Sequence, residues 1–218
     1  MNKIAVLGTG NVGDTIGSKL IELGHSVMMG SRTSNHEKMQ AFVAKHHGKA
    51  NAGTFEDAAS FGEIIFNCTA GVASLDALKM AGESNLDGKI IIDLANPLDF
   101  SKGMPPSLSI ANTNSLGEEI QKAFPKAKVV KALNTMWCGL MINPSLIHGG
   151  DHHTFVCGND TEAKLTVNEI LQSFGWLAEN IIDLGDITKA RGTEMYLPLW
   201  LSIYGATNNG AFNMKIVK

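Results

Sequence analysis

The chain has 218 residues, of which 44% are hydrophobic and 18% charged, and its formal net charge is −3. This composition is typical of a globular protein, and the small negative charge gives no electrostatic reason to expect binding to nucleic acid or to an anionic membrane. The three cysteines (Cys68, Cys138 and Cys157) lie far apart without a C-x-x-C pair, which argues against a disulfide framework and for a reducing compartment.

The two ends of the sequence set expectations about location. The chain enters an apolar strand pattern directly after Met-Asn-Lys, so we expect no signal or transit segment. The apolar run MYLPLWLSIYGA, at 195–206, is too short to cross a bilayer and contains a proline. We therefore expect a cytoplasmic protein without membrane contact, in which this run forms a buried or interface helix.

The N-terminal residues predict a β-turn-α-β unit. KIAVLG, at 3–8, is a continuous apolar run bounded by glycine, which is typical of a central parallel strand. Four apolar residues then recur at helical spacing and a glycine follows them, as at a helix C-terminus. These residues are Val12, Ile16, Leu20, Leu23 and Gly24. HSVMMG, at 25–30, predicts the second strand, and the whole unit has the length of a right-handed crossover.

Strands and helices continue to alternate along the rest of the chain. Apolar runs predict strands at 63–70, 89–96, 128–134, 153–158 and 180–185. Helical spacing predicts helices at 36–47, 72–82, 115–125, around 167–174 and near the C-terminus, and 99–114 is expected to be a long loop. This alternation predicts a doubly wound, mostly parallel α/β sheet of the Rossmann type with a small C-terminal extension. Such sheets bind ligands at the carboxyl ends of their strands.

The turn after the first strand carries the motif G-x-G-x-x-G. It lies between a predicted strand and a predicted helix, which is the context that a dinucleotide-binding motif requires. Gly8 permits the tight turn, Gly10 lets backbone amides approach a pyrophosphate, and Gly13 lets the helix pack closely on the strand. The helix N-terminus adds amide donors and partial positive charge. The predicted cofactor-binding residues here are Gly8, Thr9, Gly10, Asn11, Val12 and Gly13.

The second strand ends in Ser31, Arg32 and Thr33, where a chain that binds NAD usually carries Asp or Glu. Arg32 can pair with a 2′-phosphate and lie over the adenine ring, and the two hydroxyls can donate to phosphate oxygens. A carboxylate at this place would repel that phosphate. The sequence therefore predicts NADP(H) as the cofactor, with Ser31, Arg32 and Thr33 in the 2′-phosphate pocket.

Three further strand ends are expected to line the same crevice. They are Cys68-Thr69-Ala70, Ala95-Asn96-Pro97 and Asn134-Thr135-Met136-Trp137. Ala70 and Gly71 are small enough to let the nicotinamide ribose approach the backbone, and the amides of Asn96 and Asn134 can hydrogen-bond the carboxamide or the ribose. Asn96-Pro97 is equally typical of a simple turn.

At this point the chain resembles a family, the NADPH-dependent reductases of the deazaflavin coenzyme F420 and their relatives, including the N-terminal domains of STEAP metalloreductases. The resemblance is carried by VLGTGNVG, GSRTSN, IIIDLANP, VVKALNTMW, VCGNDTEAK and ARGTEMYLPLWL. It implies that 8–13 holds the pyrophosphate, that 31–33 forms the 2′-phosphate pocket, and that Asn134 and Thr135 lie beside the nicotinamide. F420 reductases tend to have a histidine followed by Thr-Ile-Pro at 134–137, whereas the asparagine here is closer to the metalloreductases, which pass the hydride to a flavin.

The resemblance thus implies hydride transfer between NADP(H) and a small-molecule acceptor, either F420 or a flavin such as FMN or FAD. We expect an apolar acceptor wall made of Met136, Trp137, Tyr196, Leu197 and Trp200. The same stripe is also typical of plain core or of a homodimer interface. The predicted organisation is an NADP-binding Rossmann domain at 1–150 and a small C-terminal acceptor and dimerisation portion at 151–218.

No catalytic side chain is predicted, because hydride transfer between two rings needs little acid–base help. Two alternatives stay open. One is an NADP-dependent dehydrogenase of a small hydroxy acid or imine, although such enzymes append a larger helical domain than the roughly 70 residues found here. The other is a non-enzymatic NADP-sensing protein. The motif HGGDHH, at 148–153, matches no metal-site spacing, so we expect a solvated loop without a metal.

Overall fold

A computed structural model describes residues 2–217 of the protein as a main sheet covered by helices on both faces. The strands are β1 (Lys3–Leu7), β2 (Ser26–Ser31), β3 (Ala50–Thr54), β4 (Ile64–Asn67), β5 (Ile90–Asp93), β6 (Leu98–Asp99), β7 (Ser107–Leu108), β8 (Lys128–Ala132), β9 (Thr154–Gly158) and β10 (Ile181–Asp183). The helices are α1 (Asn11–Glu22), α2 (Glu37–Lys45), α3 (Phe55–Phe61), α4 (Gly71–Ala81), α5 (Glu83–Leu86), α6 (Leu116–Ala123), α7 (Cys138–Ile142), α8 (Thr161–Ser173), α9 (Ala190–Met195) and α10 (Leu197–Thr207).

The main sheet has the strand order β10-β9-β8-β5-β4-β1-β2-β3. All neighbouring strands are parallel except β8 and β9, and the short pair β6–β7 forms a separate antiparallel ladder. The predicted mostly parallel α/β fold is confirmed. The sheet does not stop at the predicted boundary at residue 150, because β9 and β10 extend it beyond β8.

The central strands are buried on both faces, as expected of a parallel sheet. Along β1 the side chains alternate between two cores: Ile4 and Val6 pack toward one, and Ala5 and Leu7 toward the other. The first core is covered by α1, α2, α7 and α8, and the second by α3, α4, α5, α6 and α9. The carboxyl ends of β2, β1, β4, β5 and β8 thereby lie side by side along one edge.

The sequence pattern missed β3 and α3. The residues of β3, ANAGT, contain no run of large apolar side chains, and this edge strand pairs only with β2. The start of α3 is fixed instead by a capping box. Thr54 Oγ1 accepts from the amide of Asp57 at 3.1 Å, and Asp57 Oδ2 accepts from the amide of Thr54 at 2.9 Å.

The C-terminal helical stretch divides at Tyr196, so that Pro198 lies in the first turn of α10. This helix is apolar but largely exposed: Leu199 is 56% and Tyr204 46% accessible. The prediction of a buried helix is therefore wrong for most of α10, and an interface role stays a prediction. Within residues 2–217, no helix combines the length and the apolar character needed to cross a membrane.

Candidate functional site

The glycine turn after β1 has the geometry that its motif predicts. Gly8 has φ +117°, and a Cβ there would lie 2.5 Å from the carbonyl oxygen of Cys68. A Cβ on Gly13 would lie 2.1 Å from the carbonyl oxygen of Gly8, so α1 packs directly against the turn. A Cβ on Gly10 would meet no atom within 4 Å. The space in front of Gly10 and of the N-terminus of α1 is therefore open to a ligand.

A cavity of about 880 Å³ opens at the carboxyl ends of β1, β2 and β4. It brings together nine of the predicted cofactor residues: Gly8, Thr9, Gly10, Ser31, Arg32, Thr33, Cys68, Thr69 and Ala70. We call this cavity the cleft. Its wall also contains His36, Lys38, Phe55, Ala73, Asp76, Ala77 and Met80, which the sequence reasoning did not single out. The two basic residues could have been found, since they follow β2 within a few positions of Arg32.

Ser31, the last residue of β2, and Arg32, which follows it, have different roles. Ser31 is buried, and its hydroxyl donates to the carbonyl of Thr33 at 2.7 Å, so it shapes the turn that carries Arg32. Arg32 is exposed on the wall of the cleft, and among residues 2–217 it makes no ion pair or hydrogen bond. A guanidinium with all its donors available is suited to an anionic ligand group.

The segment after β4 closes the cleft on the other side. Burial raises the pKa of the Cys68 thiol, so this cysteine is a neutral wall residue. Thr69 Oγ1 donates to Asn67 Oδ1 at 2.6 Å. A Cβ on Gly71 would lie 1.9 Å from the carbonyl oxygen of Asn96. The absence of a Cβ on Gly71 therefore lets the start of α4 pack on the segment after β5, and the predicted approach of a ribose to Gly71 stays a prediction.

Asn96 and Asn134 are used to join two strand ends. The side-chain amide of Asn96 donates to the backbone carbonyl of Asn134 at 2.9 Å, and the side-chain amide of Asn134 donates to Asn96 Oδ1 at 2.9 Å. Asn134 and Thr135 are each 2% exposed, and neither of them nor Asn96 lines the cleft. Asn11, also predicted to bind the cofactor, is exposed and lines an adjoining cavity of about 350 Å³ that shares Thr9, Gly10 and Lys38 with the cleft. Val12 and Gly13 lie in the first turn of α1 and do not line the cleft.

A second, smaller cavity of about 170 Å³ begins beside the end of β8. We call it the apolar pocket, and it is lined by Thr135, Phe155, Leu184, Gly192, Thr193, Tyr196 and Met214. Tyr196 is the one residue of the predicted acceptor wall in this lining, and burial raises the pKa of its phenol. Phe155, Leu184 and Met214 come from distant parts of the chain, which is why no local pattern identified them.

The other predicted acceptor residues lie elsewhere. Met136 is 6% exposed and belongs to the first core, and Leu197 is 7% exposed, so neither forms part of an open wall. Trp200 stacks on Tyr204 and on Phe212, with ring centroids 5.5 and 5.2 Å apart. Trp137 is 44% exposed and, like Trp200, lies next to Gly210.

The histidine motif is only in part the solvated loop that the sequence predicts: His148 and Asp151 are exposed, whereas His152 is 3% exposed. Its Nε2 donates to the carbonyl of Pro144 at 2.9 Å, and its Nδ1 accepts from the side-chain amide of Asn213 at 2.8 Å. The backbone amide of His153 donates to the carbonyl of Met214. The motif therefore holds the C-terminal segment in place. Over the described range, no group of three or more His, Cys, Asp or Glu side chains is arranged to hold a metal ion.

A buried ion cluster at the ends of β5 and β8 was missed by the sequence reasoning. Lys131 Nζ lies 2.8 Å from Asp93 Oδ2 and 2.7 Å from Glu194 Oε1, and all three side chains are at most 1% exposed. The signal was present in part, because Asp93 and Lys131 are charged residues inside otherwise apolar strand patterns. No sequence pattern near Asp93 or Lys131 indicates that Glu194 joins them.

Comparison with known proteins relates the chain to oxidoreductases. The family described as NADP oxidoreductase, coenzyme F420-dependent, matches residues 3–97. Metalloreductase STEAP3 of Rattus norvegicus is 28% identical over 213 residues, covering 91% of this chain and 38% of that protein. Metalloreductase STEAP2 of Homo sapiens is 26% identical over 205 residues, covering 91% of this chain and 36% of that protein. The chain thus spans less than two fifths of the length of these relatives.

Solved structures match over more of their length. A reductive aminase from Aspergillus terreus in complex with NADPH is 17% identical, with a TM-score of 0.65 over 95% of this chain and 63% of that one, and so shares the fold. A crystal structure of a candidate F420-dependent NADP-reductase from Arthrobacter sp. FB24 is 48% identical, with a TM-score of 0.94 and complete coverage of both chains. The chain therefore belongs to the coenzyme F420-dependent NADP oxidoreductase family, whose cofactor is NADP(H).

Proposed function

We propose that the protein transfers a hydride between NADP(H) and the ring of a deazaflavin or flavin. The observation that carries the proposal is that one sheet edge holds two cavities: the large cleft, whose wall carries Arg32, His36 and Lys38, and the smaller apolar pocket. From β2 to β8 there are four strand spacings, or about 19 Å at about 4.8 Å each. An extended dinucleotide is of comparable length, so its 2′-phosphate would lie at Arg32 and its nicotinamide toward Thr135.

The residues present fit NADP(H). The open space at Gly10 and the N-terminus of α1 suit the pyrophosphate, and the guanidinium of Arg32 suits the 2′-phosphate. The bound nicotinamide supplies the hydride. The chain has to orient the two rings and exclude water, and the apolar lining around Phe155 and Leu184 serves that purpose.

The similarity to the Arthrobacter protein favours coenzyme F420 as the acceptor, whereas Asn134 favours a flavin such as FMN or FAD. Direct transfer can be tested with NADPH deuterated at the reactive face of the nicotinamide. We expect one deuterium to appear on the ring carbon of the reduced deazaflavin, where it does not exchange with solvent. Reduced F420 without deuterium from either labelled face would contradict direct hydride transfer.

The alternative of a hydroxy-acid or imine dehydrogenase requires an acid or base beside the substrate. Tyr196 is the titratable side chain in the lining of the apolar pocket within the described part of the chain. We therefore expect Tyr196→Phe to change the hydride-transfer rate with F420 or FMN by less than about threefold, since loss of an acid–base group costs 10²–10⁴-fold only where one is needed. A loss of two orders of magnitude in stopped-flow reduction would favour the alternative.

We also propose that the protein is a homodimer. The large apolar side chains exposed on α10, among them Leu199 and Tyr204, are typical of a surface that a partner covers. Light scattering at micromolar concentration is expected to give the mass of a dimer. A monomer mass would contradict the proposal.

A further inference from the structure

We propose that Lys131 is a positioning residue for hydride transfer. Its ammonium ties the end of β5 to α9 and so fixes the spacing between the cleft and the apolar pocket. The inference rests on the proposed function. Each of the three donors of this ammonium has one acceptor: Asp93 Oδ2, Glu194 Oε1 and the carbonyl of Ala95.

On the cofactor side, the side-chain amide of Asn67 connects the cluster to the wall of the cleft. Asp93 Oδ1 accepts from Asn67 Nδ2 at 2.8 Å, and Asn67 Oδ1 accepts from Thr69 Oγ1 at 2.6 Å. Thr69 itself lines the cleft. The carbonyl of Ala95, also held by Lys131, directly precedes Asn96, which joins β5 to the end of β8. The ammonium therefore holds both the cleft wall and the strand ends beside it.

On the acceptor side, the cluster anchors α9. The carboxylate of Glu194 accepts from the backbone amides of Leu116 at 2.8 Å and Gly117 at 3.1 Å, in the first turn of α6. Gly192 and Tyr196 line the apolar pocket, and each is two positions from Glu194 along the chain. A shift of Glu194 would thus move the pocket wall relative to the cleft.

The cluster has one ammonium and two carboxylates, so one carboxylate has no cationic side chain of its own. Burial alone would lower the pKa of Lys131, but the carboxylates of Asp93 and Glu194 outweigh burial and raise it, so the ammonium stays charged. The two amides at the N-terminus of α6 offset the second carboxylate. Because a buried ion pair contributes little net stability compared with apolar packing, the main effect of this cluster is to fix geometry.

The test compares the wild type with Glu194→Gln and with Asn67→Ala. In Glu194→Gln an NH₂ group faces either Lys131 or an amide of α6, while the pair of Lys131 with Asp93 remains. Asn67→Ala leaves all three ions in place and cuts the link to Thr69, so it serves if the first variant does not fold. Leu86→Ala is the matched control, because it removes a fully buried side chain at the amino end of β5, away from both cavities.

Two measurements are made at a temperature where every variant is folded. Hydrogen exchange of residues 190–196 is followed with and without NADP⁺, and single-turnover reduction of F420 or FMN is followed with saturating NADPH. We expect NADP⁺ to slow exchange in 190–196 in the wild type and in Leu86→Ala, but not in the two test variants. The hydride-transfer rate in the test variants is expected to fall about tenfold, with NADPH affinity changed less than about twofold.

Three exchange results would overturn the inference. The test variants could keep the NADP⁺-dependent protection, Leu86→Ala could lose it equally, or the wild type could lack it. An unchanged single-turnover rate would also overturn the inference. The exchange measurement uses no acceptor. Failure of the wild type to reduce any acceptor would therefore contradict the proposed function, while the exchange result would still decide whether the cluster links the cofactor cleft to α9.

Discussion

Arg32→Ala is expected to weaken NADPH binding by about 1.5–3 kcal/mol and to leave NADH binding nearly unchanged, because it removes a charge-assisted contact that only the 2′-phosphate makes. Arg32 is suited to this role because it lies on the cleft wall without an ion partner among residues 2–217. The dissociation constants of both cofactors can be measured by nicotinamide fluorescence or by titration calorimetry.

Two controls separate this contact from a general effect of charge. Lys122→Ala removes one exposed positive charge on α6, away from the cleft, and is expected to change neither affinity. Arg32→Lys keeps the charge but loses the planar fork, and should give an intermediate NADPH affinity. Equal weakening of NADPH and NADH by Arg32→Ala would show that the 2′-phosphate assignment is wrong.

Gly10→Ala is expected to separate cofactor binding from folding. A Cβ at Gly10 meets no protein atom within 4 Å, so the unfolding free energy should change by less than about 1 kcal/mol. The same methyl group would occupy the space through which the pyrophosphate approaches the backbone. NADPH and NADH affinities should therefore both fall, by about tenfold or more.

The matched control is Gly205→Ala on α10, where a Cβ is also unobstructed but no cofactor group is expected. It should keep wild-type affinity for both cofactors. Urea unfolding of the two variants provides the comparison of stability. Unchanged NADPH affinity in Gly10→Ala would place the pyrophosphate elsewhere.

Local patterns were enough to predict the parts of the site that depend on consecutive residues. The strand-turn-helix at 3–22 and the exposed Arg32 after β2 both follow from spacing and chain order, and the structure brings them to one cleft. The parallel core could be predicted for the same reason, since continuous apolar runs identify strands that are buried on both faces.

The parts that could not be predicted depend on contacts between distant residues. Met136 has the residue type of a pocket wall, but tertiary packing buries it in the core. The sequence around His152 is typical of a loop, but Asn213, 61 positions away, contacts its ring. Lys131 and Asp93 are separated by 38 positions, and the reversal of direction at β9 that shapes the apolar pocket has no signal in the strand pattern.

The central claim is hydride transfer from NADPH to a deazaflavin or flavin. Its most direct test is anaerobic oxidation of NADPH by the purified protein, followed by absorbance, with F420, FMN, FAD and no acceptor run side by side. We predict multiple turnovers with F420 or with a flavin and none without an acceptor. Tight NADPH binding with no turnover on any of the three acceptors would contradict the claim and favour a non-enzymatic NADP-sensing role.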